Sequence, residues 1–198
     1  MRSSHRKDKQ HGSNTVEFAV SAIVFFGMLL GAIEFARLIY VWNTVQEVSR
    51  NAARQLVVTD FNDAVAIARI KRTAMFLPPD GTDVDLPVAA EISTADLQVR
   101  YLNAAGTVPV TMPLDPGDNI AACMDPLRID SCIRFVEVCL TTGSTCQPPP
   151  DQILAQSVSF APMFGLFSQD CPDCTNLSDL KIPFSTVRMP VESLGYSP

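Results

Sequence analysis

Residues 18–33 form an uninterrupted apolar run with no ionisable group, bracketed by Glu17 and Glu34. This run restricts what the chain can fold into more than any other stretch. At 1.5 Å per residue it spans roughly 24 Å as a helix, a little less than the ~30 Å hydrocarbon core of a bilayer. Lengthening the helix at both ends closes that gap only if a carboxylate enters the apolar zone. An acid placed there is expensive and marks a functional position by default.

The flanks give an orientation. Arg2, Arg6, Lys7 and Lys9 stand against Asp8 alone in the first twelve residues, whereas the chain as a whole carries −6. Basic flanks stay in the cytoplasm, so the N-terminus is expected inside and everything beyond about residue 40 outside. A basic stretch before an apolar one also describes a secretory signal. Glu34, Phe35 and Arg37 nevertheless crowd the place where a small-x-small cut would fall. The helical pattern continues through that boundary, so the segment is expected to remain as an anchor.

Residues 10–57 resemble the TadE-like family, minor pseudopilins of the tight-adherence (Flp-type) branch of type IV pilus systems. Gly12 carries the likeness, with Thr15-Val16-Glu17-Phe18, Ile33-Glu34-Phe35-Ala36-Arg37-Leu38, Asn43-Thr44 and Ala52-Ala53-Arg54. Phe18 stands where major Flp pilins carry Tyr, which favours a minor component. The resemblance implies that a prepilin peptidase cuts after Gly12 on the cytoplasmic side, making Ser13 the new N-terminus and Glu17 the fifth residue. It also implies other pilin subunits, the pilus assembly machinery and the bacterial inner membrane as partners. Gly12 suits such a site because glycine has no Cβ to exclude from a protease cleft. The new α-amine would lie one helical turn from Glu17, and the two could neutralise each other in low dielectric. Removing one partner of a buried pair costs roughly 3–5 kcal/mol, so Glu17 and Phe18 are expected to set assembly register.

Glu34 and Arg37 are spaced to share a helix face, and Tyr40 and Trp42 follow at once. The four read as a membrane exit, with snorkelling charges and an aromatic belt. Gly27 and Gly31 permit close helix approach, a weak signal in any membrane helix. Beyond the exit, Val41, Val45, Val48, Ala52 and Leu56 continue as an amphipathic stripe that Glu47, Arg50 and Arg54 avoid. One helix over about 13–57 is therefore expected, apolar all round in its first half and lying under a head in its second.

A second helix is expected after Asp60 as N-cap, with Ala64, Ile67, Ile70, Ala74 and Leu77 buried and Pro78-Pro79 as its stop. Arg69, Lys71 and Arg72 read as a solvated face. Past residue 80, short β-rich runs alternate with Pro, Gly, Asp and Thr. The expected strands are Leu97–Leu102, Val108–Met112, Ile133–Leu140, Val158–Phe160 and Phe184–Met189, the third buried on both faces. The fold class is α+β and pilin-like: a long helix, a second helix and a small irregular antiparallel head. Its divisions are a removed leader (1–12), a membrane or filament helix (13–42), the helical continuation with the second helix (43–77) and a disulfide-bearing head (78–198).

All six cysteines, Cys123, Cys132, Cys139, Cys146, Cys171 and Cys174, lie on the exported side. An even number in an oxidising compartment reads as disulfides whose connectivity sequence alone leaves open. Three local loops, 123–132, 139–146 and 171–174, are the simplest arrangement, each adding about 2–3 kcal/mol. Cys171-Pro172-Asp173-Cys174 also has redox-dithiol spacing, though no strand–turn–helix unit precedes it. The only histidines, His5 and His11, fall in the leader, so a processed chain holds no Ser-His or Cys-His dyad and no histidine metal site. No glycine-rich phosphate loop is present, and an acidic exported part is a poor match for nucleic acid. The reading is a non-enzymatic pseudopilin without cofactor. An uncleaved, membrane-anchored sensor or binding module and a tethered thiol–disulfide protein using Cys171 and Cys174 are the other classes weighed.

Overall fold

Helix α1 runs without a break from Ser13 to Leu56, about 66 Å at the standard rise. The computed structural model describes residues 13–143, 145–147, 149–150, 152–163 and 180–196. No Gly or Pro falls between residues 32 and 56 to interrupt the helix. From Val41 onward its stripe (Val41, Val45, Val48, Ala52 and Leu56) is at most 1% exposed. That seam is the floor of a single core shared with the rest of the head.

Helix α2 spans Ala64–Ala74 and packs on α1. Its N-cap is Asp63 rather than Asp60: the Asp63 carboxylate accepts from the Val65 and Ala66 amides. Asp60 instead receives the Asn62 amide in the preceding turn. Ala64 is exposed, so the buried face begins later than the sequence pattern suggests and centres on Ile70 and Ala74. The helix also ends before its prolines, at a Met75 cap followed by Phe76 with φ 59°. Arg72 reaches across this exit to the Pro78 and Asp83 carbonyls, and Arg69 pairs with Asp80 at 2.9 Å. The basic cluster is therefore partly employed in tacking down the 78–83 loop.

Among the described residues, two antiparallel sheets follow. Strands β1 (Asp85–Leu86) and β2 (Ala89–Ser93) make a small hairpin that was not expected. Strands β3 (Leu97–Leu102), β4 (Phe135–Leu140) and β5 (Ser185–Pro190) form the main sheet with β4 central. Every residue of β4 after Phe135 is buried, as expected for a strand covered on both faces. Val136, Val138 and Leu140 join the core built on α1, and alternation sends Glu137 and Cys139 to the opposite face. Residues 108–112 do not form a strand: Pro109 has no amide to donate, and among the described residues the Val110 amide finds the Asp130 carbonyl rather than a ladder. Residues 158–160 make a single bridge, Ser159 with Lys181, rather than a strand.

Between β3 and β4 lie helix α3 (Pro116–Met124) and a 3-10 turn (Ile129–Ser131). Asp115 caps α3 through the Asp118 amide, with Pro116 at the first turn, where its missing N–H is harmless. A four-residue helix, α4 (Ile153–Gln156), precedes the bridge at Ser159. The chain closes over the end of α1, where the Glu192 and Leu194 amides both donate to the Val57 carbonyl. A Cβ on Gly195 would lie 2.7 Å from the Asp60 amide nitrogen, and its φ of +82° is one that other residues rarely adopt.

Tyr101 on β3 meets the Phe61 ring edge-on at 5.9 Å. Burial, followed by the charge of Asp60, pushes its phenol up to about 12. The native state therefore keeps a proton that the unfolded chain loses above about pH 10, and stability falls as pH rises from there towards 12. Its hydroxyl has no hydrogen-bond partner among the described residues. Tyr101→Phe should fold at least as stably at neutral pH and lose less stability at about pH 11 than the parent. Urea midpoints at the two pH values test this; identical alkaline losses would refute it.

Candidate assembly and anchoring site

The first half of α1 is a bare apolar rod. Val16, Phe18, Ile23, Phe25, Phe26 and Met28 are each more than half exposed. The helix is long and apolar enough to cross a membrane by length and composition, and none of its most apolar window is buried in the fold. Glu17 is exposed on this rod, next to Phe18 at 74% exposure. Gly12 and the basic leader lie outside the described residues. Apart from the helix's own neighbouring backbone, no heavy atom of a described residue lies within 4 Å of where a Gly27 Cβ would be, so no other described segment approaches the helix closely at Gly27.

The rod ends at an ion node rather than at solvated charges. The Glu34 side chain is 1% exposed, and that of Arg37 is 9% exposed. Arg37 Nη2 donates to both carboxylate oxygens of Glu91 on β2, at 2.9 and 2.8 Å. Its Nε donates to the Val88 carbonyl at 2.8 Å and its Nη1 to the Ala161 carbonyl at 2.6 Å. The guanidinium also lies 4.7 Å from the centre of the Phe160 ring. Glu34 lies 3.8 Å from Arg37 Nη1 and accepts the Met163 amide at 2.5 Å. The pair expected to snorkel at a membrane exit is thus enclosed by the head. Sequence spacing placed the two on one face but could not show that the 88–91 and 160–163 segments would cover them.

Tyr40 and Trp42 stay partly exposed just beyond the node, at 42% and 37%. A cavity of about 560 Å³ opens beside Arg37 between the hairpin and residues 161–163. Val88 is held at the hairpin tip with φ 67°, a left-handed conformation that a β-branched residue rarely tolerates. The Arg37 bond to its carbonyl helps keep it there.

A second charged cluster lies on the outer face of the main sheet. Glu137, 1% exposed, sits opposite Arg100 on β3 and Arg188 on β5. Arg188 donates to it at 2.9 Å and Gln147 at 2.8 Å, with Arg100 at 3.8 Å. The Cys139–Cys146 disulfide carries the loop with Gln147 over this face. A second disulfide joins Cys123 at the end of α3 to Cys132 ahead of β4. Cys171 and Cys174 lie outside the described residues. Among the described residues no group of three or more His, Cys, Asp and Glu is arranged to hold a metal.

A family model described as TadE-like protein matches residues 12–54. That stretch takes in Gly12, Glu17, the apolar rod, the Glu34–Arg37 node and most of the buried seam, in agreement with the likeness carried by the sequence motifs. No curated protein and no solved structure matches the chain.

Replacing Arg37 by Met leaves the Glu91 carboxylate without its cation in a mostly dry place. The expected loss is roughly 3–5 kcal/mol of head stability, and less for Arg37→Lys, which keeps the charge but not the fork. Urea unfolding of the detergent-solubilised full chain, followed by Trp42 emission, checks this. A Met variant as stable as the parent would show that the node contributes nothing.

Proposed function

We propose that this protein is a minor pseudopilin of a tight-adherence (Flp-type) pilus, needed for pilus assembly or adhesion. The observation that carries the reading is the two-part character of one continuous helix. Its first half is apolar and uncovered, and its second half is the floor of the head's core. The TadE-like match falls on that same stretch. A soluble domain would cover such a rod, while a subunit that first sits in a membrane and then packs beside its neighbours needs it bare.

In this reading a prepilin peptidase removes residues 1–12 and leaves Ser13 as N-terminus. The chain is then a single-pass inner-membrane protein with its N-terminus cytoplasmic and its head (78–198) periplasmic. Removing the leader strips away Arg2, Arg6, Lys7 and Lys9, so the membrane entry loses most of its positive charge. The freed amine on Ser13 lies one turn below Glu17 and supplies a counter-charge, within the subunit or to a neighbour. An acid so placed selects one axial register, because any slip strands a charge in low dielectric. Phe18 beside it adds a large apolar contact at the same level. The head contributes shape and surface rather than catalysis, with no cofactor.

Mass spectrometry of the protein purified from its natural membrane should find Ser13 at the N-terminus; a natural product that keeps Met1 would refute the pseudopilin reading. Gly12→Leu should block processing. Glu17→Val should be processed normally yet reduce surface piliation and attachment by roughly tenfold or more, as expected from losing several kcal/mol of register selection. Normal attachment in that variant would remove the role given to Glu17.

A further inference from the structure

The underside of the head carries exposed apolar residues at the level where the bare rod ends. The Met163 amide bonds to Glu34 and the Val88 carbonyl to Arg37, so both segments are pinned beside residues 34–37 of α1. Val88 is 65% exposed and Met163 is 69% exposed, and both line the cavity beside Arg37. On the helix at the same height, Ile33, Phe35 and Ile39 are uncovered at 46%, 63% and 43%. Helical side chains lean towards the N-terminus, so Glu34 and Arg37 draw these segments down towards the rod.

Counting from Glu17, about 20 residues fill a bilayer's hydrocarbon, which places its outer boundary near residue 37. Arg37 at that depth has its charge met by Glu91 and its donors met by carbonyls, so the node tolerates a partly dry setting. The strained Val88 tip presents an apolar side chain where a polar turn residue would serve a water-facing hairpin better.

We infer that, in the membrane-inserted form, the underside of the head seats in the outer headgroup–acyl boundary of the bilayer, with Val88 and Met163 as its lipid anchors and the Arg37 node setting its depth. The occupant is phospholipid, because this rim is continuous with the helical surface that lipid already covers. The inference rests on the membrane-spanning role of α1 given above. It adds that the head stands on the membrane at one fixed height rather than floating above it on its stalk.

The test uses the full chain in vesicles of phosphatidylethanolamine and phosphatidylglycerol, with phosphatidylcholine brominated either high or low on its acyl chains as quencher. In a Trp42→Phe background, which removes the single native Trp, one probe is introduced at a time. Phe25→Trp reports the rod, Met163→Trp the rim, and Leu127→Trp, at a position 95% exposed in the loop ahead of β4, a head surface that is not part of the rim. The expected result is about twofold quenching of Met163→Trp by the high-brominated lipid, as for a group about 5–10 Å into the interface. Phe25→Trp should respond to the low-brominated lipid and Leu127→Trp to neither. Adding Val88→Asp should relieve at least half of the Met163→Trp quenching. A quenched rod with an unquenched, iodide-accessible Met163→Trp probe would overturn the inference and leave the membrane role standing. An unquenched rod would overturn both.

Discussion

The contact between Arg37 and Glu91 joins two parts of the molecule that would otherwise share little. One guanidinium on the long helix holds a carboxylate from the hairpin, the Val88 and Ala161 carbonyls and the face of Phe160. Two separate stretches of head, residues 88–91 and 160–161, converge on it from distant points in sequence. An Arg suits this position because its planar fork satisfies several acceptors at fixed angles, which a lysine could not do. At the other end of the seam, Val57 accepts two amides from the returning C-terminal segment. Between these ties the stripe from Val41 to Leu56 supplies the apolar burial. Helix and head are therefore joined at both ends of a single seam.

The main sheet repeats the same economy of charge. A carboxylate in the middle of β4 would be untenable on a dry face, but Glu137 has an arginine on each neighbouring strand and an amide from above. Cross-strand pairs of opposite charge contribute modestly on open sheets. Here only the carboxylate is withdrawn from water beneath the loop closed by Cys139 and Cys146: Glu137 is 1% exposed, while the Arg100 and Arg188 side chains keep 28% and 35%. The cluster also penalises strand slip: moving β4 by one residue would turn Glu137 towards the apolar core.

The helical half of the fold was legible in the sequence because its signal is repeated. Val41, Val45, Val48, Ala52 and Leu56 recur at helical spacing over four turns, and no proline or glycine contradicts them. The strand at 97–102 was legible for the same reason, and so was the run at 133–140, which becomes a strand from Phe135 onward. The hairpin at 85–93 was not, since one strand has only two residues and its turn, Pro87-Val88, lacks the usual glycine or asparagine. Helix α3 was missed although Asp115-Pro116 is a cap followed by an N-terminal proline, a signal that the apparent β texture of the region obscured. The run at 108–112 failed for a non-local reason: its side chains look strand-forming, but no neighbour among the described residues offers it a ladder. For the anchoring site, sequence placed Glu34 and Arg37 on one helix face. Their burial depended on segments more than 50 residues away, which no local pattern encodes.

Because α1 is unbroken from the bare rod to the far end of the head, it behaves mechanically as a shaft. A pull on the rod acts along the axis of the seam, so the stripe from Val41 to Leu56 is loaded in shear, with its contacts strained together rather than peeled in succession. The Arg37 node at the near end and the Val57 clasp at the far end take the first displacement. A head joined in this way resists axial traction far better than one hung from a flexible linker.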